Sequence, residues 1–272
     1  MNRAPATAKL NLALVVGPVR GDGKHEVVTV LQRIDLADRV AIEPAAELRV
    51  EGFEEDTLVR AALERLAEAA NADSRWRARI WKRIPVASGL GGGSSDAATA
   101  LRLANKALPE PLPPERLHEL AAELGADVPF FLTAGPQLGT GTGADLEGLE
   151  LPQDYWVLLL LPNDAHKPST ASVYADFDGR GGAEGFEERR ARLHDALAAV
   201  RRPGDLAALP PNDLAASPHT ARLLELGAFR ADVSGAGPAV YGLFVHRAQA
   251  AAAERELRPL GRTWITVPAW YG

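Results

Sequence analysis

The run Pro85-Val86-Ala87-Ser88-Gly89-Leu90-Gly91-Gly92-Gly93-Ser94-Ser95-Asp96-Ala97-Ala98 constrains the fold more than any other stretch of this 272-residue chain. Four glycines within five residues stop at two serines and an alanine-rich run. Glycine lacks Cβ, so consecutive glycines let backbone N–H groups turn inward and approach a ligand closely. The first N–H groups of the following helix have no partner inside it, and the helix dipole favours negative charge there. Loop and helix start together predict a phosphate site over Pro85, Val86, Ala87, Ser88, Gly89, Leu90, Gly91, Gly92, Gly93, Ser94 and Ser95. Ser94 or Ser95 is expected to cap a helix over 94–107, and either hydroxyl can instead face a phosphate or a metal ion.

Other phosphate loops are excluded. A Walker A loop ends in Gly-Lys-Ser/Thr, and this run holds no lysine. The dinucleotide fingerprint needs Gly or Ala three residues after Gly91, where Ser94 stands. Neither Ser94 nor Ser95 sits in a Gly-x-Ser-x-Gly elbow. The looser Gly139-Thr140-Gly141-Thr142-Gly143-Ala144 run leaves no room for a helix before Pro152.

Composition narrows the class further. Hydrophobic residues at 46% and charged residues at 24% are ordinary for a soluble globular protein. A net charge of −6 argues against a nucleic-acid partner. The absence of cysteine excludes disulfides, thiolate metal sites and a cysteine nucleophile, and fits a reducing cytoplasm. The longest apolar run, near Val157–Leu161, is far too short to span a membrane, and the N-terminus lacks signal-peptide organisation. A cytoplasmic protein with no membrane partner is expected; oligomeric state is not legible.

Periodicity predicts strands over 10–16 and 27–31, and a hairpin of 39–43 with 48–51 around Pro44. Leu58, Ala62, Leu63, Leu66 and Ala70 share one face of a helix over 57–70. A strand over 76–82 delivers the chain to the glycine loop, and a helix over 114–124 follows it. From Pro152, strands are expected at 156–161, 232–233, 239–245 and 263–267, and helices at 184–200, 220–226 and 248–257. Glu188 and Arg192, four apart, suit an ion pair on a solvated helix face. Strands and helices intersperse without a βαβ beat, which predicts an α+β fold in two lobes, 1–151 and 152–272.

The run from Pro85 resembles the second motif of the GHMP kinases, Pro-x-x-x-Gly-Leu-Gly followed by Ser-Ser at a helix start. Ala8-Lys9-Leu10-Asn11-Leu12-Ala13-Leu14 resembles the first motif, and Ser234-Gly235-Ala236-Gly237-Pro238-Ala239-Val240-Tyr241 the third. The three lie in family order across nearly the whole chain. The resemblance implies the two-lobed GHMP kinase fold with its active site between the lobes, and an ATP-dependent small-molecule kinase that uses Mg²⁺. Arg20-Gly21-Asp22-Gly23-Lys24-His25 and Gly125-Ala126-Asp127-Val128-Pro129-Phe130-Phe131 most resemble one branch of the family. That branch phosphorylates a cytidine diphosphate-linked sugar alcohol in non-mevalonate isoprenoid precursor synthesis. The alternatives are a homoserine- or mevalonate-type acceptor, or a non-catalytic nucleotide-binding protein on the same fold.

Site residues follow from the same motifs. Lys9 stands in an otherwise apolar strand entrance, where a charge needs a reason. The resemblance places it beside the acceptor hydroxyl, and matches Asp127 to the catalytic carboxylate. A neighbouring ammonium favours an ionised carboxylate, which can orient the hydroxyl and take its proton during phosphoryl transfer. Asn11 and His25 offer both donor and acceptor atoms to a pyrimidine edge or a sugar hydroxyl. The resemblance puts His25 at a cytidine-binding histidine, Tyr174 at a stacking aromatic, Thr170 at a weaker polar contact, and Gly235 and Gly237 in the third motif against substrate. Lys24 stands where relatives commonly carry a second stacking aromatic. Asp96 reads as a first-turn acid favoured by the helix dipole, close enough to ATP phosphates to need Mg²⁺. No metal ligands are assigned.

Overall fold

A computed structural model describes residues 2–53, 57–72, 75–165 and 169–269. Two antiparallel strands frame the first half, β1 (Asn2–Val19) and β2 (His25–Pro44). Both run well beyond their expected apolar cores, because the ladder between them continues from Asn2↔Ile42 to Val19↔His25. Their register shifts between Asn11 and Ala13, so Leu12 is an extra residue on β1. Bulges of this kind bend a strand and re-aim its neighbours. This one lies beside Lys9 and Asn11.

The hairpin expected around Pro44 does not form. β3 (Arg49–Glu51) pairs parallel with β4 (Trp76–Trp81), and β4 occupies the place beside β2 over Arg39–Pro44. Alternation explains the exchange: Trp76, Ala78 and Ile80 make one face of β4 dry, and that face belongs over the helical core. The Gly-Thr-Gly-Thr-Gly segment turns β5 (Gln137–Thr140) into β6 (Asp145–Gly148), a hairpin with no helix after it. β5 pairs with β2 over Thr29–Leu31, which completes a six-stranded sheet.

Helices α1 (Leu58–Ala69), α2 (Gly92–Asn105) and α3 (Pro114–Leu124) pack on this sheet. Each fully buried leucine in that layer, such as Leu63, Leu66 and Leu101, contributes roughly 1.5–3 kcal/mol relative to exposure. The second half carries β7 (Trp156–Pro162), α4 (Thr170–Gly179), α5 (Phe186–Ala199), α6 (His219–Glu225), β8 (Arg230–Val233), β9 (Val240–Phe244), α7 (Arg247–Leu257) and β10 (Gly261–Thr266). Its strands form one antiparallel sheet in the order β10-β7-β9-β8. α4 is an element that periodicity did not separate from the loop before it.

β7 shows why its run is apolar at every position. Val157 and Leu159 pack toward β1, while Leu158 and Leu160 pack toward α6 and α7. A strand covered on both faces has no polar side. The Leu10–Leu12–Tyr241–Leu243 core therefore joins the two sheets, with β1 at the junction. The fold is α+β. The Glu188–Arg192 pair forms on the surface of α5 at 2.5 Å. Among the described residues no helix is long and apolar enough to cross a membrane.

Candidate active site

The glycine loop is sewn between β1 and the turn of residues 234–239. Lys9 N donates to Leu90 O at 3.0 Å, Ser234 Oγ to Gly89 O at 3.0 Å, and Ala239 N to Ser88 O at 2.9 Å. Two glycines are required by this path. Gly89 has φ +85°, and a Cβ there would lie 2.2 Å from Ser234 O. Gly91 has φ +70°, and its Cβ would lie 2.9 Å from Lys9 Cγ and 3.0 Å from Phe131 Cζ. The loop thus brings all three sequence motifs into contact.

The helix start corrects two expectations. α2 begins at Gly92, with Gly91 as its left-handed N-cap and no side-chain cap. Ser94 and Ser95 are already helical, because the inward curl of the glycines supplies the first turn. Asp96 is not a first-turn acid facing phosphates. It is fully buried and accepts from Lys82 Nζ at 2.7 Å. The same ammonium bonds the fully buried Asp38, which also accepts from Ile84 N at 2.8 Å and from Arg83 N. Lys82 thereby anchors the approach to the loop on one side and α2 on the other. Burial opposes its charge, but Asp96 and Asp38 outweigh that and raise its pKa.

A cleft of about 480 Å³ opens in front of the loop. Lys9, Asn11, Pro85–Gly89, Gly91–Ser94, Asp127, Thr170, Tyr174 and Gly235 line it. Leu90 and Ser95 are buried outside that lining, and Gly237 borders a separate cavity of about 440 Å³. Within the cleft, Lys9 Nζ lies 3.4 Å from Asp127 Oδ2 and 2.5 Å from Asn11 Oδ1. Asn11 Nδ2 donates to Thr29 Oγ1 at 2.8 Å, and Thr29 Oγ1 donates to Ala13 O at 2.8 Å. This relay fixes the Asn11 amide, so its oxygen faces Lys9. Gly125 ends α3, and a 3₁₀ turn over Pro129–Leu132 follows Asp127. The buried Arg33 guanidinium bonds Phe130 O at 3.0 Å and also Thr133 O, holding that turn; burial lowers its pKa to about 10.

Beside the cleft, the His25 ring stacks on Tyr174 with centroids 4.7 Å apart and planes 28° apart. His25 Nε2 lies 2.8 Å from Asp178 Oδ1, and Phe177 meets the His25 ring edge-on at 5.9 Å. Burial, with a lesser contribution from Asp127, pushes the Tyr174 hydroxyl up to about 12. Thr170 opens α4 behind the Ser169 cap, one turn before Tyr174. Lys24 is exposed.

Residues 57–135 match the family described as GHMP kinases N terminal domain, and residues 220–262 match GHMP kinases C terminal. The chain is 35% identical to 4-diphosphocytidyl-2-C-methyl-D-erythritol kinase of Chlorobium chlorochromatii, over 97% of this chain and 96% of that one. It is 39% identical to the enzyme of the same name from Pelotomaculum thermopropionicum, over 88% of each. The chain belongs to the GHMP kinase family.

The fold of this GHMP kinase agrees with that placement. A crystal structure of 4-(cytidine 5'-diphospho)-2C-methyl-D-erythritol kinase superposes with a TM-score of 0.78 at 31% identity, covering 98% of this chain and 99% of that one. A mevalonate kinase structure reaches 0.76 at only 14% identity, over 98% and 99%, which is a likeness of fold alone. The sequence motifs missed Thr29 and Lys82, which line the cleft of this GHMP kinase, and Asp38, which holds Lys82 from behind. Lys82 stands three residues before Pro85, a weak signal; Thr29 and Asp38 carried none, since β2 mixes them with Gln32, Arg33, Asp35 and Arg39 and no polar residue in it stands out.

Proposed function

We propose that this GHMP kinase transfers the γ-phosphoryl group of ATP to the 2-hydroxyl of 4-diphosphocytidyl-2-C-methyl-D-erythritol. The observation that carries the reading is the Lys9–Asp127 pair, set between the glycine loop and the aromatic stack of His25 and Tyr174. The backbone N–H groups at the start of α2 receive the nucleotide phosphates. Tyr174 and His25 hold the cytidine end of the acceptor, with Asn11, Thr170 and Gly235 as its polar neighbours. Lys9 stabilises negative charge near the acceptor oxygen. Asp127 orients the hydroxyl and takes its proton as that oxygen bonds to the γ-phosphorus and the bond to the β–γ bridging oxygen breaks, releasing ADP. The lobes divide at residues 151 and 152, and the enzyme works in the cytoplasm.

The donor set suits Mg²⁺ that arrives with the nucleotide. Asp127 and Ser94 bring oxygens to the cleft, and among the described residues no group of three or more His, Cys, Asp or Glu is gathered to cage an ion. Mg²⁺ keeps much of its water and binds through one or two protein oxygens plus substrate phosphates. Ser94 would hold it together with the nucleotide phosphates and water, leaving Asp127 free as the base, and it would supply neutralisation of phosphate charge.

A coupled assay with ATP, Mg²⁺ and three acceptors tests the reading. Turnover is expected with 4-diphosphocytidyl-2-C-methyl-D-erythritol and not with homoserine or mevalonate. A higher kcat/KM for either of the latter, or no ADP release with any, overturns it.

A further inference from the structure

Asn212 is a residue that no motif marked, yet every polar atom of its side chain is engaged. Its Nδ2 donates to Val233 O at 2.9 Å and to Gly235 O at 2.7 Å. Its Oδ1 accepts from Leu214 N at 2.8 Å and more distantly from Ala215 N at 3.4 Å. Its backbone N donates to Asp232 Oδ2 at 3.0 Å, and that carboxylate is paired with the buried Arg230 at 3.2 Å. An amide that grips the last carbonyl of β8 and a carbonyl of the turn after it fixes where the turn sits, because the alternative is a buried Val233 carbonyl and a half-buried Gly235 carbonyl without donors.

The turn it grips faces the reacting groups. A Cβ on Gly235 would lie 3.4 Å from Asn11 Oδ1 and 3.5 Å from Lys9 Nζ, so the Gly235 backbone stands about one methyl group away from that pair. The adjacent residue holds the strand that carries the pair. Asp213 N donates to Leu14 O at 2.9 Å, and Asp213 Oδ2 accepts from Val16 N at 2.9 Å and Arg189 Nε at 3.0 Å. Two consecutive residues therefore clasp β1 with one hand and the glycine turn with the other.

We propose that Asn212 is a positioning residue for phosphoryl transfer: by holding the Ser234–Gly235 turn beside Lys9 and Asn11 and on the glycine loop, it limits the space in which the Lys9 ammonium stands relative to the acceptor oxygen. The proposal rests on the assignment of Lys9 under Proposed function. Phosphoryl transfer depends on placement, so a turn displaced by a fraction of an ångström slows the chemical step while leaving the ATP loop intact.

Asn212→Asp is the sharpest probe. It keeps the size and the acceptor side, but sets a carboxylate oxygen against the carbonyls of Val233 and Gly235. Asn212→Ala removes the grip without adding repulsion and serves if the aspartate variant does not fold. Single-turnover transfer from labelled ATP to 4-diphosphocytidyl-2-C-methyl-D-erythritol separates rate from amplitude. The expected result is a rate constant lowered at least tenfold for Asn212→Asp and at least threefold for Asn212→Ala, with amplitude kept and the KM for ATP within twofold. A purely structural role lowers amplitude by the misfolded fraction and leaves the rate constant at the wild-type value; that result overturns the proposal. Lys9→Ala in the same assay keeps the two readings apart. If Lys9→Ala is slow while both folded Asn212 variants run at the wild-type rate, only the positioning role fails. If Lys9→Ala runs at the wild-type rate, the assignment of Lys9 fails, and the positioning role with it.

Discussion

Lys9 Nζ stands 3.4 Å from Asp127 Oδ2, with the lysine side chain 4% exposed and the aspartate side chain 40% exposed. The asymmetry is functional in form. The ammonium is fixed by Asn11, while the carboxylate keeps access to the cleft, as the proposed role of Asp127 requires.

Asp127→Asn keeps shape but removes the charge and the proton acceptor. Turnover should fall about 10²–10⁴-fold with little change in substrate binding. Lys9→Ala should act in the same direction, and the double variant should lose far less than the product of the two, because they act as one unit. Single-turnover rates in the three variants measure this. Near-normal transfer by Asp127→Asn would remove it from the mechanism.

The glycine loop offers a contrast between neighbours. Gly91→Ala forces a Cβ into a left-handed position against Lys9 and Phe131. It should cost about 1–2 kcal/mol and lower the melting temperature by about 2–8 °C. Gly93→Val meets only Leu58, with Cβ at 3.5 Å from its Cδ1. It should melt within about 2 °C of wild type while weakening ATP binding, since its branches crowd the phosphate approach. Unchanged ATP affinity by calorimetry for Gly93→Val would count against the phosphate assignment.

Tyr174→Ala should raise the KM for the cytidine-bearing acceptor roughly tenfold or more, from loss of about 1–3 kcal/mol of stacking. The KM for ATP should barely change. Tyr174→Phe should stay near wild type. With its hydroxyl pushed up to about 12, Tyr174 is neutral at working pH, and Tyr174→Phe keeps the stacking ring. Equal losses for both substrates would make Tyr174 a packing residue.

The Asp38–Lys82–Asp96 cluster makes a prediction about alkaline stability. The lysine pKa is raised above its usual 10.5 in the folded state, so its stabilising contribution is complete below that value and is lost as pH rises through the folded pKa. Lys82→Met leaves two buried carboxylates without their cation and should cost about 3–5 kcal/mol. Thermal unfolding from pH 7 to 11 should show a constant gap between wild type and variant up to about pH 10, in line with the lysine range, and a narrowing gap above it. Narrowing that begins between pH 7 and 9 would contradict the shift.

Local chemistry carried much of the design into the sequence. A glycine run that opens an alanine-rich helix needs no tertiary partner to leave N–H groups free, so the loop and the helix it starts were legible. So were α1, α3 and β7, whose periodicity records which faces are dry. Strand partnership was not legible. Pro44 ends β2 whichever strand lies beside it, and only packing over α1 and α2 placed β4 there and sent β3 to the outer edge. The role of Asp96 changed for the same reason. Its position in the helix was readable, but the Lys82 ammonium that pairs with it comes from the residue just past a strand whose direction the sheet decides. Asn212 was invisible for a further reason: an asparagine in a loop looks like any turn residue until the carbonyls it must satisfy, those of Val233 and Gly235, are folded against it. Sequence determined the elements whose stability is local. Tertiary structure decided every polar residue whose partner lies far along the chain, because a buried polar group takes its role from the atoms that replace its water.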